Sequence, residues 1–176
     1  IDLGSLLQRV MLESTRMLNA DRATLFLNDP KTDELFSRVA MGDGIGEIRL
    51  PNSAGIAGAV FQSQQTINIP HAYADLRFNP GFDKQTGYFT RSILCVPIIN
   101  KEGECIGCTQ ALNKKGGGFT DEDESRLKAF TQQVAIALEN AKLFEDVAKE
   151  RAYNHSMLTS MSNAVITIDD EGKIIT

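Results

Sequence analysis

No apolar run in this 176-residue chain approaches the ~20 residues that a bilayer-crossing helix needs, so we expect a soluble piece without membrane contact. A basic excess is missing as well. Lys and Arg number 18 against 23 Asp and Glu, a net charge of −5, which argues against a general nucleic-acid surface. Cysteines number three and histidines two. Cys105 and Cys108 have the spacing of half a zinc site, but a second such pair is lacking, and strand residues three apart point to opposite faces. No metal site is expected, and small buried hydrophobes in a reducing, cytoplasmic setting are the better reading. No nucleophile, base and orienting group come together either, and His71 stands alone beside Pro70. The chain itself is expected to be no enzyme. It shows no signal peptide, starts at Ile1, and stops at Thr176 after an apolar stretch that reads as unfinished. We therefore expect a piece of a longer protein.

What is present fits one globular domain with part of a second. Hydrophobic residues make up 42% and charged residues 23%. A chain of this size can bury a core without disulfides. Leu3, Leu6, Leu7, Val10, Met11, Met17 and Leu18 have helical spacing, predicting a helix over 2–19. Strands are predicted at 23–28, 34–40, 47–50, 66–69, 92–99 and 104–112, with a helix over 55–64. Gly42, Gly44 and Gly46 mark a loop. Thr120, followed by Asp121 to Glu124, reads as the capped start of a helix running to about 150. Along it Leu127, Phe130, Val134, Ala137, Ala141, Phe144 and Ala148 recur at period 3.5, the seam of a helix that pairs with another. The stripe could also pack on the domain's own sheet; dimerisation is the expectation. Clustered strands with flanking helices make the fold class α+β with an antiparallel sheet.

Two stretches stand out chemically. Gly55-Ile56-Ala57-Gly58 puts small residues at a helix start, where backbone N–H groups and the helix dipole suit an anion; taken alone, the motif is better explained by close helix–sheet packing. Residues 70–91 have no steady period but hold Tyr73, Phe78, Phe82, Tyr88 and Phe89, with Asp83, Thr86 and Thr90 between them. Aromatic walls with a few placed polar groups are the usual make-up of a small-molecule site.

Residues 1–150 resemble a GAF domain of the cyclic-nucleotide-binding kind, found in cyclic-nucleotide phosphodiesterases and cyanobacterial adenylate cyclases. The resemblance is carried by Gly55 to Gly58, Ile67 to Tyr73, Asp75 to Asn79, Asp83 to Arg91 and Ser92 to Pro97. It is completed by the dispersed Asn113, Lys114, Phe119, Asp123 and Glu124. His71 and Gln110 depart from the family pattern, standing where acidic residues are common. The resemblance implies a six-stranded antiparallel sheet with helices on both faces and a long C-terminal helix. It implies a cyclic nucleotide, cAMP ahead of cGMP, as regulatory ligand and no covalent cofactor. The Ile56 and Ala57 amides would meet the cyclic phosphate. Asp83 and Thr86 would serve the base, Thr90 the ribose or phosphate, Thr24 and Gln110 the floor, and Arg91 the lid. Lys114 and Asp123 would be a structural salt bridge.

Residues 151–176 resemble a linker and the start of a PAS domain: Met157-Leu158, Asn163 to Ile168, then an Asp/Gly turn. That order fits an adenylate cyclase, with histidine kinases and diguanylate cyclases as other parents. The expected function is a sensor that relays ligand binding through its C-terminal helix to neighbouring PAS and output domains. The alternative is a GAF module that binds no nucleotide and serves as a dimerising spacer. A bilin-bearing light sensor is disfavoured because no cysteine precedes a histidine. A GAF-type methionine sulfoxide reductase is disfavoured because Cys95 falls in a buried strand.

Overall fold

The computed structural model describes residues 2–41 and 46–143. Six strands form one antiparallel sheet in the order β3-β2-β1-β6-β5-β4. In chain order they are β1 (Ala20–Asp29), β2 (Glu34–Ala40), β3 (Arg49–Pro51), β4 (Ile67–Ile69), β5 (Ile93–Ile99) and β6 (Cys105–Lys114). The helices are α1 (Leu3–Met17), α2 (Gly55–Ser63), α3 (Gly81–Thr86) and α4 (121–143). The expected α+β class, six-stranded antiparallel sheet and C-terminal helix are all present.

Two tight hairpins, β1–β2 and β5–β6, are joined through the central β1–β6 pair, where Thr24 faces Gln110 and Arg22 faces Leu112. Strand alternation then sorts side chains to two faces. Phe26, Ile93, Cys95 and Cys108 pack with Ile56, Ala57 and Val60 of α2. Leu94, Val96 and Ala111 turn the other way and pack with Leu18, Phe119 and Leu127. Helices therefore cover both faces, α2 on one and α4 on the other.

Each helix has a local reason. Asp2 caps α1 by accepting from the Ser5 N–H at 2.8 Å, and Leu7, Val10, Met11 and Ser14 form its buried stripe. Thr120 and Asp123 make the reciprocal cap of α4. The Asp123 N–H donates to the Thr120 hydroxyl at 3.1 Å, and the Thr120 N–H donates to the Asp123 carboxylate at 2.8 Å. On α4, Leu127 and Val134 are fully buried in the domain itself, so these two seam positions are taken by the chain's own core. Ile136 stays about half exposed. Seam positions Phe144 and Ala148 lie outside the described residues.

Residues 1–137 make one compact unit, and the chain from Leu138 begins a second, of which only helical residues 138–143 are described. The expected domain boundary at 150/151 and the PAS-like tail lie outside the described residues, as do Gly42 and Gly44. Residues 70–91 are more ordered than their lack of period predicts: a 3-10 turn at Ala72–Ala74 and α3 interrupt them. Six residues of helix are too few to display a period, and Gly87 (φ 78°) ends it in the left-handed region.

Candidate functional site

A cavity of about 420 Å³ lies on the α2 face of the sheet. Its floor is central strand: Thr24 and Phe26 of β1, Gln110 and Leu112 of β6, and Ile93 of β5. Its wall is the start of α2 at Gly55, Ile56 and Ala57. Its cover is the segment 78–90, through Phe78, Phe82, Asp83, Tyr88 and Thr90. Among the described residues, the Thr24 hydroxyl and the Gln110 amide make no side-chain hydrogen bond within the protein, and both face this space.

The start of α2 is built for close approach. Gly55 has φ +64°, a conformation side-chain-bearing residues rarely adopt. A Cβ on Gly58 would sit 2.5 Å from the Ser53 carbonyl carbon, so only glycine lets the first turn press on the preceding loop. Ala54 supplies no side-chain cap. The first-turn N–H groups, with no intrahelical acceptor in the α pattern, are therefore left at the cavity edge with the positive end of the helix dipole.

The cover is pinned at two places. Asp83 is buried, and its carboxylate accepts three hydrogen bonds at 2.8 Å: from the Tyr73 hydroxyl, the Thr90 N–H and the Thr90 hydroxyl. The Tyr73 phenol is raised above its ordinary pKa by that bond and by burial. Tyr73 also stacks on Phe89 and meets Phe78 edge-on. The second pin is Asn113, in the left-handed region (φ 57°) at the end of β6. Its carbonyl oxygen accepts from the N–H groups of Arg91 (2.6 Å) and Ser92 (3.2 Å). Its amide nitrogen donates to the Tyr88 hydroxyl (2.9 Å) and the Phe89 carbonyl (2.8 Å).

Six of the eight expected ligand residues therefore line one space: Thr24, Ile56, Ala57, Asp83, Thr90 and Gln110. Thr86 and Arg91 do not line it. Thr86 ends α3 and donates its hydroxyl to the Phe82 carbonyl, while Arg91 projects to solvent from the residue after buried Thr90. Asp83 lines the cavity with its carboxylate already occupied by protein groups. Sequence reasoning missed Arg22 and Arg49. Arg22 lies on the cavity side of β1 with its guanidinium carbon 3.9 Å from the Tyr88 ring centroid. Arg49 is held by Asp29, Glu34 and Glu47 at 3.2–3.6 Å. The alternation of β1 with Thr24 could have shown Arg22; nothing local marks Arg49.

The dispersed motif is structural in placement. Lys114 Nζ lies 2.7 Å from Asp123 and donates to the Leu18 carbonyl at 3.1 Å. Phe119 is buried against Leu94 and Leu127. Glu124 and the Phe119 carbonyl both accept from the Asn68 side chain of β4. Burial opposes ionisation of Asp123, but the Lys114 ammonium and the Thr120 N–H outweigh it and hold the carboxyl below its ordinary range. Burial raises the Cys105 thiol above its ordinary value, and contact with Cys95 together with burial raises Cys108 well above it, which favours the protonated form of both. Among the described residues no three His, Cys, Asp or Glu side chains are grouped to hold a metal, and no helix is long and apolar enough to cross a membrane.

The sequence profile of the GAF domain matches residues 2–138. The dual 3',5'-cyclic-AMP and -GMP phosphodiesterase 11A of Takifugu rubripes is 37% identical over 188 residues, covering 99% of this chain and 21% of that protein. The probable 3',5'-cyclic phosphodiesterase pde-5 of Caenorhabditis elegans is 35% identical over 187 residues, covering 99% of this chain and 26% of that protein. The chain thus spans only these fractions of its relatives. Among solved structures, the GAF domain of a phosphoenolpyruvate-protein phosphotransferase from Coxiella burnetii superposes with a TM-score of 0.74 at 22% identity, over 82% of this chain and 87% of that one. Free methionine-R-sulfoxide reductase from Neisseria meningitidis, in complex with its substrate, superposes with a TM-score of 0.69 at 19% identity, over 81% of each chain. At these identities both share the fold.

Proposed function

The chain belongs to the GAF family, and we propose that its cavity is the regulatory site of a cyclic-nucleotide sensor. The observation that carries this is the cavity itself. Its volume suits a small ligand, helix amides stand at one wall, and unpartnered polar side chains lie on the floor beneath an aromatic cover. The first-turn amides of Ile56 and Ala57 meet the cyclic phosphate. Thr24 and Gln110 hydrogen-bond the nucleotide from below. Asp83 and Thr90 shape the cover; Thr86 and Arg91 act from outside the cavity.

Between the two common cyclic nucleotides we propose cAMP. Amide side chains pair with the N6 and N7 edge of adenine, whereas arginine suits the O6 and N7 edge of guanine. Gln85 and Gln110 line the cavity with their amides uncommitted among the described residues. Arg49 is held by three carboxylates and Arg22 lies against Tyr88. Ligand binding is read out through α4 towards neighbouring PAS and output domains, in a cytoplasmic homodimer. Leu12, Met17 and Ile136 are exposed apolar side chains that a helix-mediated dimer would cover. For the parent, the PAS-like tail favours an adenylate cyclase. The identity with cyclic-nucleotide phosphodiesterases supports a second reading, a regulatory domain of such an enzyme.

Titration calorimetry with cAMP and with cGMP, on protein refolded to strip carried ligand, tests the sensor. Saturable binding of one nucleotide per chain, cAMP tighter, is the expected result. Tighter cGMP binding removes the base assignment but keeps the sensor. No heat with either ligand in folded protein leaves a dimerising spacer.

A further inference from the structure

On the premise of that sensor reading, we propose that Tyr88 is the positioning residue that ties occupancy of the cavity to the first turns of α4. Its ring is cavity wall, backed by the Arg22 guanidinium at 3.9 Å. Its hydroxyl is where three parts of the fold meet. The phenol donates to the Asp21 carboxylate of β1 at 2.7 Å and accepts from the Asn113 amide of β6 at 2.9 Å.

Asn113 spends its remaining capacity on the same arm of the cover, at Phe89, Arg91 and Ser92. The next residue, Lys114, holds Asp123 in the first turn of α4 at 2.7 Å. An unbroken chain of short contacts therefore runs from the cavity wall through Tyr88, Asn113 and Lys114 to α4. A ligand pressing on the Tyr88 ring meets a phenol fixed by a charge-assisted bond, so displacement passes to Asn113 and the end of β6. The ligand shifts α4 only as far as it favours one setting of this junction over the other.

The test is hydrogen exchange over residues 121–137, with and without saturating cAMP or cGMP, in the wild-type chain and in Tyr88→Phe, Asp21→Ala and Asp21→Asn. In the wild type, ligand slows exchange there about fivefold or more. Tyr88→Phe keeps the ring, weakens binding by no more than about tenfold, and loses that slowing. Asp21→Ala loses it too, and Asp21→Asn, which keeps an acceptor, restores it. Undiminished slowing in Tyr88→Phe or Asp21→Ala overturns the proposal. If Tyr88→Phe fails to fold, the exposed Asp21 pair decides alone. A wild-type chain that binds nucleotide without any change over 121–137 overturns the relay and leaves the sensor standing. One that binds neither nucleotide removes the sensor itself.

Discussion

Lys114 and Asp123 lock β6 to α4: their charged atoms lie 2.7 Å apart, and the Asp123 side chain is only 3% exposed. Removing one partner strands the other where water can barely reach it. Lys114→Ala is expected to lower unfolding free energy by about 3 kcal/mol, read by urea denaturation. A loss below about 0.5 kcal/mol, the range of ordinary surface changes, would show the pair to be incidental.

The same pair sets a pH dependence. The folded Asp123 carboxyl titrates below its unfolded value. Its contribution is therefore complete above about pH 4, the ordinary carboxylate value, and is lost as pH falls through the lower folded value. Lys114→Ala should flatten the acid limb of stability against pH. An acid limb unchanged in that variant would assign it to other carboxylates.

Asp83 tests the cover. Asp83→Ala removes three hydrogen bonds to one carboxylate, freeing Tyr73 and Thr90. Cyclic-nucleotide affinity should fall at least about tenfold, with the circular dichroism of the sheet retained. Full affinity in a folded Asp83→Ala protein would sink the placement of the site under this cover.

Thr109 and Thr131 predict an asymmetry. The Thr131 hydroxyl donates to the Leu127 carbonyl at 2.6 Å, so Thr109 must be the donor in their 2.6 Å contact. Thr131→Val then orphans a buried hydroxyl and costs about 1–3 kcal/mol. Thr109→Val leaves Thr131 satisfied and costs about 1 kcal/mol or less. Equal losses in thermal unfolding of the two variants would contradict this donor order.

Gly58 reports on the wall. In Gly58→Ala the new methyl meets the Ser53 carbonyl carbon at 2.5 Å, forcing α2 from its seat at about 1–3 kcal/mol. Both melting temperature and nucleotide affinity should drop. An unchanged melting temperature would mean that the loop before α2 yields freely.

Much of this was legible in the sequence, for identifiable reasons. The α1 stripe, the β1–β2 and β5–β6 hairpins and the Thr120 cap are local patterns, and local patterns are visible in a single chain. The residues of α3 were not, because a helix of under two turns has no period to detect. Asp83 and Thr90 could be singled out as polar groups among aromatics, but their bond to each other joins positions seven apart by a fold the sequence does not spell. Arg49 escaped notice because its place at the cavity depends on β3 returning beside β2. That Thr86 and Arg91 do not line the cavity was not legible, because a motif fixes neighbours in order, while a turn decides which of them faces inward.

The pairing of Thr24 with Gln110 has a consequence for biogenesis. The β1 part of the cavity floor is made within residues 20–29, and the β6 part only when β6 emerges, some 80 residues later. The β1–β2 hairpin is a local pairing and can form early, but the central seam with β6 must wait, as long-range pairings do. Until β6 pairs with β1, the cavity lacks Gln110 and Leu112 from its floor. A ligand in that cavity thus recognises only completed copies of the domain. By mass action it stabilises them as a whole, β1 together with β6.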